Sequence, residues 1–236
     1  MLLYIIRHGE PIYGPDTLTE LGREQAKAVG KRLSVHGFDR IYSSPNGRAR
    51  ETAQPTCEAL GMTPEILPWA SEDLLWRDLA VPGVGWSFNG DVRQLRASEM
   101  TLPDSRWYDA PVFDEALAPR EGYERIAAGA DELLRGLGYE HEGQIYRIVN
   151  GTNERVALFC HQGVGVTLVS HLLNIPPCLF WTSFDMTHTG VTVIHFEDHG
   201  YGYTSAKCLV LSDTAHIYEA GLPYRYSGHN HEDVPL

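Results

Sequence analysis

A histidine follows the first apolar run of the chain, at the point where a strand is expected to end. Residues 2–6 read as a buried strand, and Arg7-His8-Gly9-Glu10 comes directly after them. Ligands of open α/β sheets bind outside the carboxyl ends of the strands, where a glycine lets the backbone approach an anion closely. The segment suits a nucleophilic imidazole beside an anion-binding arginine. A surface arginine next to a structural histidine is the alternative interpretation.

A second cationic segment, residues 43–53, follows another short strand at residues 39–42. Ser44 is a natural N-cap, and Pro45 suits the first helical position. This pattern places Arg48 at or just past the first turn, near the positive end of the helix dipole. Both strand ends are therefore expected to present cationic groups.

Two later segments complete a recognisable set. Residues 156–160 form a buried-strand run that ends in His161-Gln162-Gly163, and Asp213-Thr214-Ala215-His216-Ile217 lies near the end of the chain. Together with Arg-His-Gly and the pattern Ser-Ser-Pro-x-x-Arg-Ala-x-x-Thr-Ala, these segments resemble the histidine phosphatase superfamily, also called the phosphoglycerate mutase-like family. The resemblance covers roughly residues 1–67 and 145–222, and the middle of the chain is poorly matched.

The resemblance implies a fold and an activity. The fold is α/β: a three-layer α/β/α architecture with a mostly parallel central sheet, phosphoglycerate mutase-like, with a cap insertion. A single histidine phosphatase domain is expected over 1–236, with the cap or insertion at 68–143. The activity is that of a histidine acid-type phosphatase, a phosphoric monoester hydrolase that forms phosphohistidine at His8 without a metal ion or cofactor. Its partner is a small-molecule phosphate ester.

The residues themselves suit phosphoryl transfer. A phosphate monoester carries about two negative charges near neutral pH, and a neutral imidazole attacks it without charge repulsion. His8 can attack through one ring nitrogen if the other nitrogen donates to an acceptor, which the sequence does not name. Arg7 and Arg48 offer planar forks to the phosphoryl oxygens. Further candidate phosphate contacts are the Gly9 backbone, His161 and Gln162.

Hydrolysis also needs a proton for the leaving alkoxide and later a base for water. A carboxylic acid with a raised pKa can supply both in turn. In the resembled family this acid follows the second arginine by a couple of dozen residues, which favours Glu72. The glycine-rich Trp-Glu-Gly type sequence that often follows is missing here. Asp73 and Asp78 therefore stay open as alternatives, and any of the three could instead be a solvated surface carboxylate.

Two other functions use the same residues. A mutase returns the phosphoryl group to another hydroxyl and needs more cations at the mouth of the site. Pro11-Ile12-Tyr13-Gly14 stands where dedicated glycolytic mutases carry a Ser-x-Trp-Asn type sequence, which disfavours that function. A catalytically inactive phospholigand-binding protein on the same fold is the other alternative. Cations for the mutase could come from Arg77, Arg93, Arg96, Arg106 and Arg120.

Composition excludes several classes of partner. The chain has 236 residues, 43% hydrophobic and 21% charged, which is ordinary for one large α/β domain. Its formal net charge of −12 disfavours binding to nucleic acid or to an anionic membrane surface. The apolar run at the N-terminus is too short for a signal peptide or a membrane span, so we expect a cytoplasmic protein. The sequence sets neither the oligomeric state nor the identity of the ester.

No metal site is expected. The four cysteines show no Cys-x-x-Cys spacing and are expected to be reduced and buried. Among the eleven histidines, His195 with His199 and His229 with His231 invite a metal-binding interpretation. Solvated or hydrogen-bonded histidines are the simpler account of both pairs.

Strands and helices alternate along the chain, which predicts a sheet with helices on its faces. Thr17 or Thr19 can cap a helix that stops near Gly37. In the helix that starts at Pro45, Pro55 predicts a kink or an early end, and Gly61 is expected to close it. Strands are predicted near 2–6, 39–42, 64–67, 155–160, 190–196 and 204–211.

The middle of the chain differs in composition. Residues 68–121 contain four of the five tryptophans among many glycines and prolines. In the resembled family, insertions at this place cover the mouth of the active site and set substrate choice. The aromatic residues could equally form a satellite core that holds the insertion to the body, and the two roles are compatible. A helix with an apolar core stripe is predicted from about Glu121 to Gly138.

Overall fold

The computed structural model describes residues 1–102 and 105–223. In chain order the strands are β1 (Leu2–Arg7), β2 (Pro11–Tyr13), β3 (Asp16–Leu18), β4 (Arg40–Ser43), β5 (Glu65–Ile66), β6 (Ala80–Val81), β7 (Gly85–Trp86), β8 (Tyr139–Glu142), β9 (Ile145–Ile148), β10 (Arg155–Cys160), β11 (Val191–Phe196), β12 (Tyr203–Thr204) and β13 (Ala206–Asp213). The helices are α1 (Glu20–Ser34), α2 (Gly47–Leu60), α3 (Glu72–Leu79), α4 (Val92–Leu95), α5 (Pro119–Gly136), α6 (Gln162–Leu172), α7 (Pro177–Trp181) and α8 (Ala215–Glu219).

Six strands form the central sheet, in the order β13-β11-β1-β10-β4-β5. Strands β1, β10, β4 and β5 pair in parallel, and β11 runs antiparallel to both of its neighbours. The predicted mostly parallel sheet is confirmed. Arg7 pairs with Cys160, and Phe159 pairs with Ser43. The carboxyl ends of β1, β10 and β4 are therefore level at one edge, and the site lies at that edge.

Helices cover both faces of the sheet because the strand residues alternate between two cores. Ile6 and Phe159 face one core, which α1 and α2 close with Val29 and Ala53 among others. The opposite face belongs to a larger core that includes side chains from α3, α5 and α6. This arrangement is the expected α/β/α layering. Over the described ranges, the structure contains no helix with the length and apolar character needed to cross a membrane.

The two helices that follow β1 and β4 begin differently. Thr19 caps α1 through its hydroxyl, which accepts from the Gly22 N–H, as predicted. The prediction for α2 was wrong: the helix begins at Gly47 with Asn46 as its N-cap, and Ser44 lies before it. A carboxylate from another part of the chain takes the capping role, because the Gly47 N–H donates to Asp16 Oδ2 at 2.6 Å.

Pro55 does not end α2 early. The helix continues to Leu60, and Gly61 closes it in the left-handed conformation (φ +66°), as predicted. Pro55 packs closely against α1 at Gly30, where a Cβ would lie 2.8 Å from the Pro55 Cβ. The glycine therefore gives the proline ring room between the two helices.

The segment at 68–143 packs into the larger core. Short 3₁₀ turns, α3, α4 and two-residue strands make up most of residues 68–113, and α5 follows with Ile126, Ala130, Leu134 and Leu137 buried as the apolar stripe predicted. An array of aromatic rings joins the segment to Trp181 of α7. Along it, consecutive ring centroids lie 4.8–5.3 Å apart in the order Trp76, Trp86, Phe88, Trp181 and Trp107.

Candidate functional site

A cavity of about 380 Å³ lies at the carboxyl edge of β1 and β4, beside the start of α6. A larger cavity of about 540 Å³ lies at the far side of the sheet, beside α1, β11 and β13, and its lining is mostly apolar. The first brings together Arg7, His8, Arg48 and Glu72, which the sequence singled out, and the second contains none of them, so we place the candidate site in the first. The residues that line it are Arg7, His8, Tyr13, Arg48, Glu72, Asp73, Trp76, Trp86 and Gln162.

His8 is a neutral imidazole with one protonated and one unprotonated ring nitrogen. Its Nδ1 lies 2.7 Å from the Gly9 carbonyl oxygen, which can only accept, so Nδ1 carries the proton. This leaves the lone pair on Nε2. Burial lowers the pKa of His8 well below its ordinary value, and the neighbouring His161 and the charge of Arg7 act in the same direction. The hydrogen bond to the Gly9 carbonyl therefore fixes the tautomer that a nucleophilic imidazole needs.

Gly9 supports this geometry from behind. Its N–H donates to Thr52 Oγ1 at 3.0 Å, and its carbonyl holds His8. A Cβ at this position would lie 2.6 Å from the carbonyl oxygen of Gly22, so only glycine fits against α1. The predicted role of Gly9 in approaching an anion does not agree with this arrangement, since both of its backbone polar groups are already bonded within the protein.

Both predicted arginines are almost fully buried and fixed by hydrogen bonds. Arg7 donates from Nη1 to the Met186 carbonyl at 2.6 Å. Arg48 donates from Nη1 to Asp16 Oδ1 at 2.7 Å, and its Nη2 lies 3.5 Å from Asp73 Oδ1. The Nε atoms of both arginines are buried without a hydrogen-bond partner among the residues that the structure describes. Buried donors of this kind are costly unless a ligand satisfies them, which fits an anion site.

His161 lies directly behind His8, with 5.1 Å between the ring centroids. Its Nε2 is 2.7 Å from Ser44 Oγ, and that hydroxyl donates onward to Asn46 Oδ1 at 3.1 Å. Because the Ser44 proton is used in this second bond, His161 Nε2 must be the donor in the first. Burial lowers the pKa of His161 well below its ordinary value, and Arg48 and Arg7 lower it further. Its Nδ1 is buried with no partner in the described part of the chain.

Glu72 joins the cavity from the first residue of α3. Its two carboxyl oxygens accept the N–H groups of Gly163 and Val164, each at 2.9 Å, at the start of α6. Burial raises the pKa of Glu72 above its ordinary value, although these two hydrogen bonds and Arg48 act against the shift. The side chain is thus a fixed carboxyl group with an enhanced tendency to hold a proton.

The two alternative carboxylates lie in different surroundings. Asp73 also lines the cavity, but its side chain is 71% exposed and is bonded to Asn46 Nδ2 at 2.8 Å. Asp78 is buried on the other side of α3, where it pairs with Arg77 and Arg125 at 2.8 and 2.6 Å. It does not line the cavity in the described structure. Burial and position therefore favour Glu72 over both as a proton donor.

Gln162 lines the cavity as its sequence position suggests. Its side-chain amide, however, donates to Asp185 Oδ1 at 2.6 Å. In this conformation the amide is bonded to a carboxylate instead of being directed at a phosphate. The predicted contact between Gln162 and phosphate therefore requires a rearrangement of the side chain.

The closing Asp-x-x-His segment braces the loop next to the nucleophile. His216 is buried, and its Nε2 lies 2.9 Å from Thr189 Oγ1. The Thr189 N–H donates to the His8 carbonyl at 3.2 Å, and Thr189 adopts φ +52°, a conformation that β-branched residues rarely take. Arg32 joins the segment to α1 through a hydrogen bond to Asp213. These residues support the site from outside the cavity.

Sequence reasoning missed several residues at the site. Asp16, which holds Arg48, comes from the small β2–β3 hairpin, and no motif connects it to α2. Tyr13 places its ring 5.3 Å from the Arg48 guanidinium carbon. Trp76 and Trp86, which the sequence analysis placed in the cap without choosing between its two roles, form part of the wall, so these two tryptophans both pack the insertion and face the cavity. The only available signal for them was the aromatic composition of residues 68–121.

Of the two histidine pairs considered for metal binding, His195 and His199 belong to no group of three potential metal ligands among the described residues. His199 lies 3.3 Å from Glu197, and His195 is half-buried in β11. His229 and His231 lie outside the described residues. All four cysteines are unpaired; Cys57, Cys160 and Cys178 are buried, and Cys208 is half-buried.

The sequence is similar to those of two known phosphatases. The chain is 27% identical over 193 residues to the adenosylcobalamin/alpha-ribazole phosphatase of Salmonella typhimurium, covering 77% of this chain and 84% of that protein. It is 26% identical over 210 residues to phosphoserine phosphatase 1 of Hydrogenobacter thermophilus, covering 83% of this chain and 87% of that protein.

A solved structure of phosphoserine phosphatase from Entamoeba histolytica, in complex with 3-phosphoglyceric acid, shares the fold. The TM-score is 0.60 at 21% identity, with 92% of this chain and 98% of that chain covered. The family profile described as histidine phosphatase superfamily (branch 1) matches residues 3–74 and 88–208, which is most of the sequence. The chain is therefore a member of the histidine phosphatase superfamily.

Proposed function

We propose that the chain is a metal-independent phosphatase that hydrolyses a small phosphomonoester through a phosphohistidine at His8. The observation that carries the proposal is the hydrogen bond from His8 Nδ1 to the Gly9 carbonyl, which keeps Nε2 unprotonated beside Arg7 and Arg48. A neutral nucleophile avoids repulsion by the phosphate, and the two buried guanidinium groups neutralise its charge without a metal ion.

The reaction has two steps. In the first, the lone pair of His8 Nε2 attacks phosphorus, the bond from phosphorus to the ester oxygen breaks, and that oxygen takes a proton from the Glu72 carboxylic acid. In the second, the Glu72 carboxylate takes a proton from water, the water oxygen attacks phosphorus, and the bond to Nε2 breaks. Inorganic phosphate leaves, and both residues return to their starting states. The raised pKa of Glu72 suits the first step.

Arg7 and Arg48 would bind the equatorial oxygens during both steps. His161 would add a third positive group, because a bound phosphate dianion favours protonation of its Nδ1 beside the two arginines. Its Nε2 already donates to Ser44, so a second proton makes His161 a cation fixed in place. The acid-type character of the enzyme would follow from the need for protonated Glu72.

The charges around the cavity disfavour the mutase alternative. The arginines that could have bound a second phosphate are engaged elsewhere: Arg77 with Asp78, Arg93 with Asp91, Arg106 with Asp109 and Arg120 with Glu124. Arg96 donates to Ser183. Among the described residues that line the cavity, only Arg7 and Arg48 are permanent cations, and Asp73 adds negative charge. A bisphosphorylated intermediate would therefore lack partners.

The same lining suggests a class of leaving group. Tyr13, Trp76 and Trp86 surround the two arginines, and an adjoining cavity of about 390 Å³ shares these three rings. Aromatic walls bind planar or apolar groups, and Asp73 opposes a second anion. We therefore propose a phosphate ester of an uncharged, preferably aromatic or heterocyclic, alcohol.

Phosphate release from a panel of monoesters, in buffer with EDTA, tests the proposal. The panel pairs nucleoside and aryl phosphates with phosphoserine and 3-phosphoglycerate, and it compares the wild type with His8→Ala. Turnover of the ring-bearing esters in EDTA, lost in the variant, together with an acid-labile phosphate on the protein, supports the phosphatase. Binding without turnover across the panel would instead favour the inactive phospholigand-binding protein.

A further inference from the structure

Three potential metal ligands meet far from the candidate active site. Asp131 lies on α5, His141 on β8 and His171 in the last turn of α6. One ligand atom from each residue lies within 4.8 Å of the other two. Asp131 Oδ1 is 3.0 Å from His141 Nδ1 and 2.8 Å from His171 Nε2. Two imidazole nitrogens and one carboxylate oxygen are a ligand set that suits zinc and similar divalent ions.

The surroundings of His141 resemble those of an oriented metal ligand. Its second nitrogen, Nε2, lies 3.2 Å from Asn174 Oδ1, and its ring stacks on Tyr146 with 4.4 Å between centroids. A hydrogen bond to the second nitrogen fixes the ring and the tautomer of a metal-binding histidine. Asn174 adopts φ +54°, the left-handed conformation, at the end of α6. The backbone therefore takes an uncommon conformation where the second nitrogen of His141 finds its acceptor.

The cluster is also accessible. The side chains of His141 and His171 are 11% and 13% exposed, and that of Asp131 is 29% exposed. The three side chains are therefore shielded on most sides but not closed off from solvent. In a tetrahedral site with bonds of about 2.0–2.1 Å, neighbouring ligand atoms lie roughly 3.3 Å apart. Small side-chain rotations would open the observed 2.8 and 3.0 Å separations to that value.

We propose that Asp131, His141 and His171 bind one divalent cation of the zinc type. The ion accepts the lone pairs of His141 Nδ1 and His171 Nε2, and each neutral ring keeps one proton on its other nitrogen, which for His141 is the Nε2 beside Asn174 Oδ1. It cross-links α5, α6 and β8. Glu72 is bonded at the first turn of α6, and His171 lies about 12 Å along the helix from Gly163 at 1.5 Å per residue. The ion would therefore lie away from the candidate active site, and its binding is independent of the phosphatase proposal.

Zinc titration by calorimetry tests this site on chelator-stripped full-length protein, with the thermal midpoint measured in parallel. We expect one equivalent to bind the wild type and to raise Tm. His171→Gln and Asp131→Asn should each weaken binding at least tenfold and remove the rise, while Asn174→Ala should weaken it by roughly 10–100-fold. His195→Gln is the matched control on an unrelated strand and should bind as the wild type does. Circular dichroism shows whether each variant is folded.

The C-terminal histidines could also capture zinc, so His229→Gln with His231→Gln is a second control. If this double variant no longer binds one equivalent of zinc and His171→Gln still does, the proposed site is wrong. Absence of stoichiometric binding to the wild type would overturn it as well, whatever the variants do. With cobalt in place of zinc, visible absorption that depends on His171 would show directly that imidazole coordinates the ion.

Discussion

The imidazoles of His8 and His161 lie 5.1 Å apart and are held in opposite tautomers. His8 carries its proton on Nδ1, bonded to the Gly9 carbonyl, whereas His161 carries its proton on Nε2, bonded to Ser44. Each ring therefore has one unprotonated nitrogen. One of these is the proposed nucleophile, and the other can take a proton when phosphate arrives.

Ser44→Ala removes the acceptor that fixes His161. A buried N–H left without a partner costs about 1–3 kcal/mol, so we expect kcat/KM for a phosphate ester to fall by roughly tenfold and the unfolding free energy to drop modestly. Ser43→Ala is the matched control, because Ser43 is equally buried and its hydroxyl donates to the Ser44 carbonyl. Steady-state kinetics and urea denaturation of both variants measure the two effects. Equal kinetics in the two variants would show that Ser44 does not position His161.

Glu72→Gln should slow turnover in a way that depends on the leaving group. For an alkyl phosphate, loss of the proton donor should lower kcat by about 10²–10⁴. For p-nitrophenyl phosphate the loss should be smaller, because nitrophenolate leaves without a proton. Asp73→Asn is the competing variant, since Asp73 also lines the cavity. If the dependence on leaving group appears in the Asp73 variant and not in the Glu72 variant, the acid has been assigned to the wrong residue.

The pH profile of the alkyl ester should have an alkaline limb set by Glu72. The pKa of this residue is raised by burial, and the proton donor is present only below that pKa, so kcat should fall by up to tenfold per pH unit above it. On the acid side, His8 stays neutral because burial lowers its pKa well below the ordinary value. The limb should be absent from the residual activity of Glu72→Gln. A limb that persists in this variant would assign it to another group.

His216 should make folding sensitive to acid. Burial lowers its pKa from 6.5 to about 4, so between these values the unfolded chain binds a proton that the native protein does not. Stability therefore declines as pH falls from 6.5 towards 4, by on the order of 3 kcal/mol for this residue alone. In His216→Gln this contribution is absent, so the unfolding free energy should decline less between pH 7 and pH 5 than it does in the wild type. Urea denaturation of both proteins at the two pH values measures the difference. An unchanged slope would contradict the role of His216.

Trp76→Ala tests the class of leaving group. Trp76 is 45% exposed at the wall of the cavity and packs edge-on against Trp86. Its loss should raise KM for aryl and nucleoside phosphates by about tenfold with little effect on a small alkyl phosphate. Trp69→Phe is the comparison, because Trp69 packs against Gly129 away from the cavity. Equal losses for both ester classes would argue against recognition of the ring by Trp76.

Much of the site could be predicted from the sequence because several of its residues directly follow strands. Arg7, His8 and His161 follow apolar runs that could only be buried strands, and parallel strands bring their carboxyl ends to one edge. Arg48 was placed correctly near the start of α2 even though the N-cap was assigned to Ser44. The error arose because capping by Ser44 and capping by Asn46 look alike in sequence, whereas the Asp16 carboxylate that bonds Gly47 comes from a distant hairpin.

The parts that sequence did not provide depend on long-range packing. Which of Glu72, Asp73 and Asp78 is buried against α6 at the cavity is decided by which face of α3 meets α6, and Glu72 is the one that accepts the Gly163 N–H. The cluster of Asp131, His141 and His171 is spread over forty residues with no motif spacing, so only the packing of α5, β8 and α6 reveals it.

Arg48 has a carboxylate partner of its own before any substrate arrives. Asp16 Oδ1 occupies one of its nitrogens at 2.7 Å, and this bond also anchors the β2–β3 hairpin to the start of α2. The Arg48 guanidinium therefore keeps Asp16 as its counter-ion whether or not phosphate is bound. In the proposed reaction, product release would leave Arg48 paired with Asp16, so we expect only weak inhibition by inorganic phosphate.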